Sequence, residues 1–353
     1  MVGHPYFSII LPVYNVKEEF LYDCILSLYH QTFQDFEIIF VDDGSTNNAG
    51  KVCDGFIDEF PNLMIQCIHQ ANEGQIAARM NGFNRSCGQH ILFFDSDDTI
   101  KVNTLERIKY AFEKYNCDIV MFNAERDKGG SKDIFWDHYC EKETFISGNG
   151  MKRIYQDAIE CDRLNNVWLK SFKREIIEKS HIYENVSYIR LNEDYLMQLP
   201  WLDSSKSLVY LPENLYIYRM NLDSVVFANR TNFNPNAYKS AVLLYKERKK
   251  YAQLWNVENG LLHVNRRFFD EVSSCIKQIR YCDGVYTKKQ QKEYLKRIAN
   301  DIVFKKEYKL FDGGKCVSQI GRIALWFVNK QMWNIAIFIV RYDPKIHGTD
   351  QIK

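Results

Sequence analysis

The 353-residue chain reads as an α/β protein, and three features of its first 120 residues predict that class. Short apolar runs alternate with segments whose apolar residues recur at helical spacing. The runs are continuously apolar rather than alternating, as strands are when helices cover both faces of a parallel sheet. Three of them are followed directly by turn-forming or acidic residues, where open α/β sheets carry their loops.

The elements follow in order. Phe7–Leu11 is a buried strand, and Phe20, Leu21, Cys24, Ile25 and Leu28 share one helix face. Phe36–Val41 is a second strand, with Cys53, Phe56, Ile57 and Phe60 marking the next helix. Leu63–Ile68 is a third strand, followed by a helix from Ile76 to Phe83. Ile91–Phe94, a helix through Leu105, Ile108 and Phe112, and the strand Asp118–Phe122 complete the alternation. Such an order gives a mainly parallel sheet with helices on both faces.

Residues 125–150, with Gly129-Gly130 and Gly148-Asn149-Gly150, read as loop. From Met151 to Asn221 helices mix with short strands at Leu208–Leu211 and Leu215–Tyr218. Beyond Pro235 the chain turns helical and basic. Ile323–Val340 is apolar apart from Asn329, Lys330, Gln331 and Asn334, too interrupted for a spanning helix of about 20 apolar residues. Its Trp326 and Trp333 beside basic residues suit an interfacial helix, and a core helix of a C-terminal bundle fits equally.

Composition is that of a folded globular protein, 46% hydrophobic and 26% charged. The 22 Tyr and 23 Phe serve a core or flat sugar faces alike. The net charge of +1 conceals an asymmetry. Residues 1–235 hold 23 Lys+Arg against 34 Asp+Glu, and residues 236–353 hold 23 against 11. The basic second part therefore predicts an anionic surface or partner. Ten cysteines are scattered without a CxxC pair, and no signal peptide precedes the first strand, which predicts reduced thiols in the cytoplasm.

The chemistry sits after the strands: Pro12-Val13-Tyr14-Asn15, Asp42-Asp43-Gly44-Ser45 and Asp95-Ser96-Asp97-Asp98. A parallel sheet brings all three to one edge. Any one Asp there also suits a turn or a helix N-cap. Five aspartates converging on one edge repel unless something positive neutralises them. A divalent cation does so through carboxylate oxygens, and a metal-bridged diphosphate would keep them ionised. Glu193-Asp194 opens a helix, where acids favour the dipole and where a general base is equally at home.

Several separated stretches, in order, carry a family resemblance. They are Phe7–Asn15 (FSIILPVYN), Gln31-Thr32-Phe33, Phe36–Ser45 (FEIIFVDDGS), Asn72-Glu73-Gly74 with Ala77-Ala78-Arg79, and Ile91–Asp98 (ILFFDSDD). These resemble a glycosyltransferase family 2 protein of the GT-A fold. The likeness extends more weakly through Trp168, Lys170, Asn192-Glu193-Asp194 and Tyr216–Ser224, and after about residue 235 it ends.

The resemblance implies a GT-A domain over 1–225, with a nucleotide-sugar half (1–122) and an acceptor half (123–225), followed by a helical, basic region over 226–353. It implies that Pro12, Tyr14 and Asp43 line the nucleotide base pocket, with Arg79, Asp95 and Ser96 on the nucleotide-sugar and Asp97, with Asp98 beside it, on the metal, Mn2+ or Mg2+. Asp194 would be the general base, and Glu193, Trp168 and Lys170 would face the acceptor. Glu73 stands where a small residue is common, and Asn149–Arg174 lacks an acceptor signature. No QxxRW-like motif is visible, which favours addition of one sugar over processive synthesis.

The expected reaction is therefore inverting transfer of one sugar, from a UDP-sugar to a hydroxyl of a lipid-linked glycan in bacterial surface-polysaccharide synthesis. The basic C-terminal region would rest on anionic lipid at the inner face of the membrane or join copies of the chain, and no nucleic acid is expected. Two other classes fit the residues less fully. A sugar nucleotidyltransferase would carry a Gly-rich basic loop after the first strand, where Pro12-Val13-Tyr14-Asn15 stands, and a non-catalytic carbohydrate-binding scaffold would not need the aspartates.

Overall fold

A computed structural model describes residues 4–135, 137–180, 189, 192–220, 232–282, 285–313 and 317–341. The chain divides into two compact units, one of residues 1–187 with 192–221 and one of residues 188–191 with 222–353.

The first unit opens with the predicted alternation: β1 (Phe7–Val13), α1 (Glu18–Tyr29), β2 (Phe36–Asp42), α2 (Ala49–Glu59), β3 (Met64–His69), α3 (Gln75–Arg85) and β4 (His90–Phe93). Then come β5 (Thr99–Ile100), α4 (Thr104–Tyr115) and β6 (Ile119–Asp127). The second half holds β7 (Lys132–Ile134), β8 (Thr144–Ser147), α5 (Met151–Glu160), β9 (Lys170–Lys173), α6 (Arg174–Glu178), α7 (Glu193–Ser204) and β10 (Ser207–Arg219).

One sheet runs in the order β3-β2-β1-β4-β9-β6-β10-β5. The β3-β2-β1-β4 half is parallel, and so is the β6–β10 pair. β9 runs antiparallel between β4 and β6 and joins the two halves. β1 and β2 are buried along their whole length, which explains their mainly apolar text, and the buried Ser8 hydroxyl donates to Glu37 Oε1 at 2.6 Å. Phe7, Leu11, Phe40, Cys53, Phe56, Leu105 and Phe122 share one core cluster, and each large apolar side chain buried there contributes about 1.5–3 kcal/mol.

Two expectations need revision. The expected loop 125–150 contains β7 and β8, which pair with the edges of β6 and β10. The two short strands expected around residues 208–218 are one strand, β10, whose register against β6 shifts between Tyr210 and Asn214 and again before Tyr216. Pro212, which has no backbone N–H to donate, lies within that irregularity and made the segment read as interrupted.

The second unit is helical: α8 (Ala237–Leu254), α9 (Gly260–Lys277), α10 (Lys288–Asn300), α11 (Ile302–Tyr308), α12 (Gln319–Asn329) and α13 (Trp333–Arg341). Its helices start where the side chains dictate. Thr287 and Gln290 form a capping box at α10, Asp301 caps α11 and Ser318 caps α12. The apolar stretch 323–340 is a helix pair broken at Gln331, whose φ is 59°. Ala324, Leu325, Val328, Ala336, Ile337 and Val340 pack inward while Ile323, Trp326, Met332, Ile335 and Phe338 are exposed. Core and surface readings of that stretch each describe one face. Among the described residues no helix is long and apolar enough to cross a membrane.

At the foot of the first unit's sheet His90 is wedged between Tyr6, stacked at 4.5 Å, and Phe112 at 4.1 Å. Burial pulls its pKa down to about 4. The unfolded chain therefore binds a proton near pH 6.5 that the folded chain refuses until about pH 4, so stability falls as pH drops through that window. Replacing His90 by Phe is expected to remove this acid limb, worth about 3 kcal/mol at most, as read by urea midpoints at pH 7 and pH 4.5.

Candidate functional site

The loops after β1, β2 and β4 meet at the C-terminal edge of the parallel half and are laced together by hydrogen bonds. The Asp43 N–H donates to the Val13 carbonyl at 2.8 Å. Asn15, at φ 54°, accepts the Thr46 N–H on Oδ1 at 2.7 Å, and its own N–H donates to Ser45 Oγ at 3.0 Å. Ser96 Oγ donates to the Pro12 carbonyl at 2.7 Å.

Asp43 is buried, and its carboxylate takes the Gln70 side-chain amide at 2.8 Å and the Glu73 and Gly74 N–H groups at 2.8 and 2.9 Å. It thereby shapes the turn that starts α3. Gly44, at φ 72°, lies against that turn, and a Cβ on it would stand 2.9 Å from the Asn72 nitrogen. Tyr14 is exposed beside this edge. The Glu73 that departs from the resemblance thus serves through its backbone N–H, which any residue but Pro supplies.

The centre of the site is Arg79, 1% exposed on α3. One guanidinium nitrogen donates to Asp95 Oδ1 at 2.9 Å and another contacts Asp194 Oδ1. Burial opposes its charge, but Asp194 and Asp95 outweigh that and raise its pKa. Asp194 Oδ2 accepts the Val167 N–H at 3.2 Å, so both its oxygens are engaged. Asp95 is raised to about 6, first by burial, with Asp194 and Asp97 adding to it and Arg79 opposing. Glu193, the first residue of α7, is raised to about 7 by burial and then by Asp194.

Asp98 serves differently from its neighbours. It is fully buried, accepting the Tyr216 hydroxyl at 2.7 Å on Oδ2 and the Arg219 N–H at 2.7 Å on Oδ1. Burial, then Asp97 and Asp95, pushes its pKa well up. Arg219 Nε also donates to the Asp97 carbonyl at 3.0 Å, and its far nitrogen pairs with Asp23 at 2.7 Å. Asp98 and Arg219 thus clamp the acidic loop to β10, while the Asp97 side chain is half-buried.

Trp168 is buried against Tyr216, Tyr218 and Phe135 at 4.5, 5.6 and 5.2 Å. Lys170 is wholly buried, its Nζ donating to the Leu164 and Asn166 carbonyls at 2.9 and 2.8 Å, and burial brings its pKa down to about 7. Both set the shape of the loop that carries Val167. Ser96 likewise acts as a clasp. Arg219, Tyr216 and the Val167 N–H escape a reading of motifs, although Tyr216 and Arg219 lie inside the weaker tail of the resemblance.

The carboxylates of this edge offer oxygen ligands, the kind hard divalent cations take. Asp95, Asp97, Asp98, Glu193 and Asp194 lie near two guanidinium groups, Arg79 and Arg219, and burial first, with neighbouring carboxylates second, raises Asp95 and Asp98. The side chains of Asp95 and Asp97 therefore fit a divalent ion.

Comparison with known proteins bears on the family and the fold. The family model for glycosyl transferase family 2 matches residues 8–192. Glycosyltransferase GlyG of Streptococcus pneumoniae serotype 4 is 26% identical over 262 residues, spanning 73% of this chain and 84% of that protein. Residues 1–349 of S. aureus TarS in complex with UDP-GlcNAc superpose at a TM-score of 0.65 and 16% identity, covering 98% of this chain and 93% of that one. The mannosyltransferase PcManGT of Pyrobaculum calidifontis, in complex with GDP-Man and Mn2+, superposes at 0.53 and 12% identity, covering 98% and 89%. The structural matches establish the fold, that of nucleotide-sugar-binding GT-A proteins.

Removing the guanidinium should leave Asp95 and Asp194 facing each other unpaired. Arg79→Met is expected to cost about 3 kcal/mol in the urea midpoint, and adding Asp194→Asn should recover part of that loss. Equal losses in the single and double variants would mean that the bridge does not couple the two carboxylates.

Proposed function

The chain belongs to glycosyltransferase family 2, and from that membership we propose that it transfers one sugar, with inversion, from a UDP-sugar to a hydroxyl of a glycan or lipid-linked glycan of a bacterial surface polysaccharide. The Arg79 bridge is the observation that carries this reading. It sets the acidic loop after β4 beside the first turn of α7, so donor-side carboxylates and a candidate base share one edge.

Pro12, Tyr14 and Asp43 line the base side of the donor in this reading, with Asp43 also holding the Gln70–Gly74 turn. Arg79 and Asp95 stand on the sugar-nucleotide side, and Ser96 keeps the loop closed on Pro12. Asp97, with Asp95 beside it, would hold Mn2+ or Mg2+, and Asp98 fixes the loop on which they ride. When bound, the ion supplies Lewis-acid compensation for the charge that gathers on the departing diphosphate.

Asp194 takes the proton of the acceptor hydroxyl as its oxygen attacks the anomeric carbon and the bond to the diphosphate breaks on the opposite face. Arg79 and the Val167 N–H orient that carboxylate. One observation favours a second assignment: both Asp194 oxygens are engaged, whereas Glu193 next to it has a pKa of about 7, poised for proton transfer at neutral pH. Trp168 and Lys170 support the acceptor side from beneath, through the loop they shape.

The second unit has its own part in the proposal. Its excess of Lys and Arg and its exposed Trp326 and Phe338 suit an anionic lipid surface, near which a lipid-linked acceptor would lie. A second copy of the chain is the other partner this region would suit.

Three experiments follow. Incubating the full chain with Mn2+ and each common UDP-, GDP- and dTDP-sugar should release nucleoside diphosphate from one donor, with release abolished by EDTA and by Asp97→Ala. With an acceptor found, Asp194→Asn should lower kcat by about 10²–10⁴ and Glu193→Gln by far less; the reverse order assigns the base to Glu193. Sedimentation with vesicles should show binding to anionic and not neutral lipid, and equal recovery with both would remove the membrane from the proposal.

A further inference from the structure

Behind the Asp42–Ser45 loop, on β3 and α2, a second group of ligating side chains stands outside the machinery described above. Asp54 Oδ1 lies 3.0 Å from His69 Nε2, and Cys67 Sγ lies 3.8 Å from the same nitrogen. One ligand atom from each of Asp54, Cys67 and His69 falls within 4.8 Å of the others. Around a tetrahedral ion with bonds of about 2.0–2.3 Å, neighbouring ligand atoms stand about 3.3–3.6 Å apart. The two separations from Nε2, 3.0 and 3.8 Å, bracket that spacing, and the third pair lies within 4.8 Å.

A second observation concerns how the imidazole is held. His69 Nδ1 faces Asp42 Oδ2 at 3.0 Å, and Asp42 Oδ1 accepts the Ser45 N–H at 2.9 Å. A carboxylate on Nδ1 fixes the ring so that Nε2 points at the other two ligands. This is the outer-shell arrangement that orients metal-binding histidines. The contact is shielded by α2 at Gly50, where a Cβ would come within 2.5 Å of Asp42 Oδ2 and 3.2 Å of His69 Cε1. Cys67 is a free thiol on the same strand as His69 and two residues before it, so period-2 alternation turns both side chains to one face.

We propose that Asp54, Cys67 and His69, with Asp42 orienting the imidazole, form a site for a borderline divalent cation of the Zn2+ type, with solvent as the fourth ligand. One thiolate, one imidazole and one carboxylate select such an ion over Mg2+ or Mn2+, which prefer oxygen alone. On binding, the Cys67 thiol proton and any proton on His69 Nε2 leave to solvent. The ion would brace the donor loop from behind, since Asp42 connects His69 to Ser45 and adjoins Asp43.

Cobalt substitution tests this without turnover, so its result is independent of the transferase reading. EDTA-stripped full-length protein titrated with Co2+ should develop a thiolate-to-cobalt charge-transfer band with the visible bands of a tetrahedral ion. Asp97→Ala should keep that band, because Asp97 is not among the proposed ligands, and Cys67→Ser should abolish it. Calorimetry with Zn2+ should show the same site weakened about tenfold or more by Asp54→Asn and His69→Gln. If His69→Gln fails to fold by circular dichroism, Asp54→Asn, exposed on α2, carries the comparison. No thiolate band in the wild type, or a band that survives Cys67→Ser, would overturn the proposal.

Discussion

A single buried guanidinium organises the carboxylate-rich sheet edge of this protein. Arg79 is 1% exposed, and a cation so buried persists only with anions to pair it. It takes one from the loop 16 residues ahead and one from a helix 115 residues ahead. Neither carboxylate could sit where it does without the cation, since Asp95 and Asp194 would repel across a poorly solvated gap. The arrangement is therefore mutual, and it brings the loop after β4 against the first turn of α7.

Around that bridge the protein spends most of its acidic and polar groups on its own backbone. Asp43 holds the Gln70–Gly74 turn, Ser96 holds Pro12, Asp98 holds Tyr216 and Arg219, and Lys170 holds the 164–166 loop. Buried polar groups left unbonded would each cost about 1–3 kcal/mol, and Asp43, Ser96, Asp98 and Lys170 are each satisfied by a neighbour that they also fix in place. Preorganisation of the loops is the consequence. The half-buried Asp95 and Glu193 differ, because burial, with neighbouring carboxylates adding to it, raises both and gives them reason to meet a cation or a proton.

The same economy shapes the rear of the donor loop. Asp42 accepts from Ser45 on one oxygen and meets His69 on the other, so the loop that carries Asp43 is anchored to the edge strand β3. His69 is drawn up to about 9 by its hydrogen bonds to Asp42 and Asp54, so in the ion-free protein it is a cation between two carboxylates. A bound divalent ion would replace the proton in the same electrostatic role.

Periodicity by itself determined the α/β order of the first unit, the helical character beyond Pro235 and the convergence of three turn-forming and acidic loops on one sheet edge. Those features depend on neighbours in the chain, and burial on both faces writes them directly into β1, β2 and their helices. The GT-A resemblance added names to the motifs. Tertiary structure alone decided what each side chain does. It inserted β9 antiparallel between β4 and β6, carried β10 through Pro212, gave Asp98 to β10 rather than to the open face of the loop, and set Arg79 between Asp95 and Asp194. Those outcomes rest on hydrogen bonds of a few ångströms between residues as far as 121 positions apart, distances that no local pattern encodes.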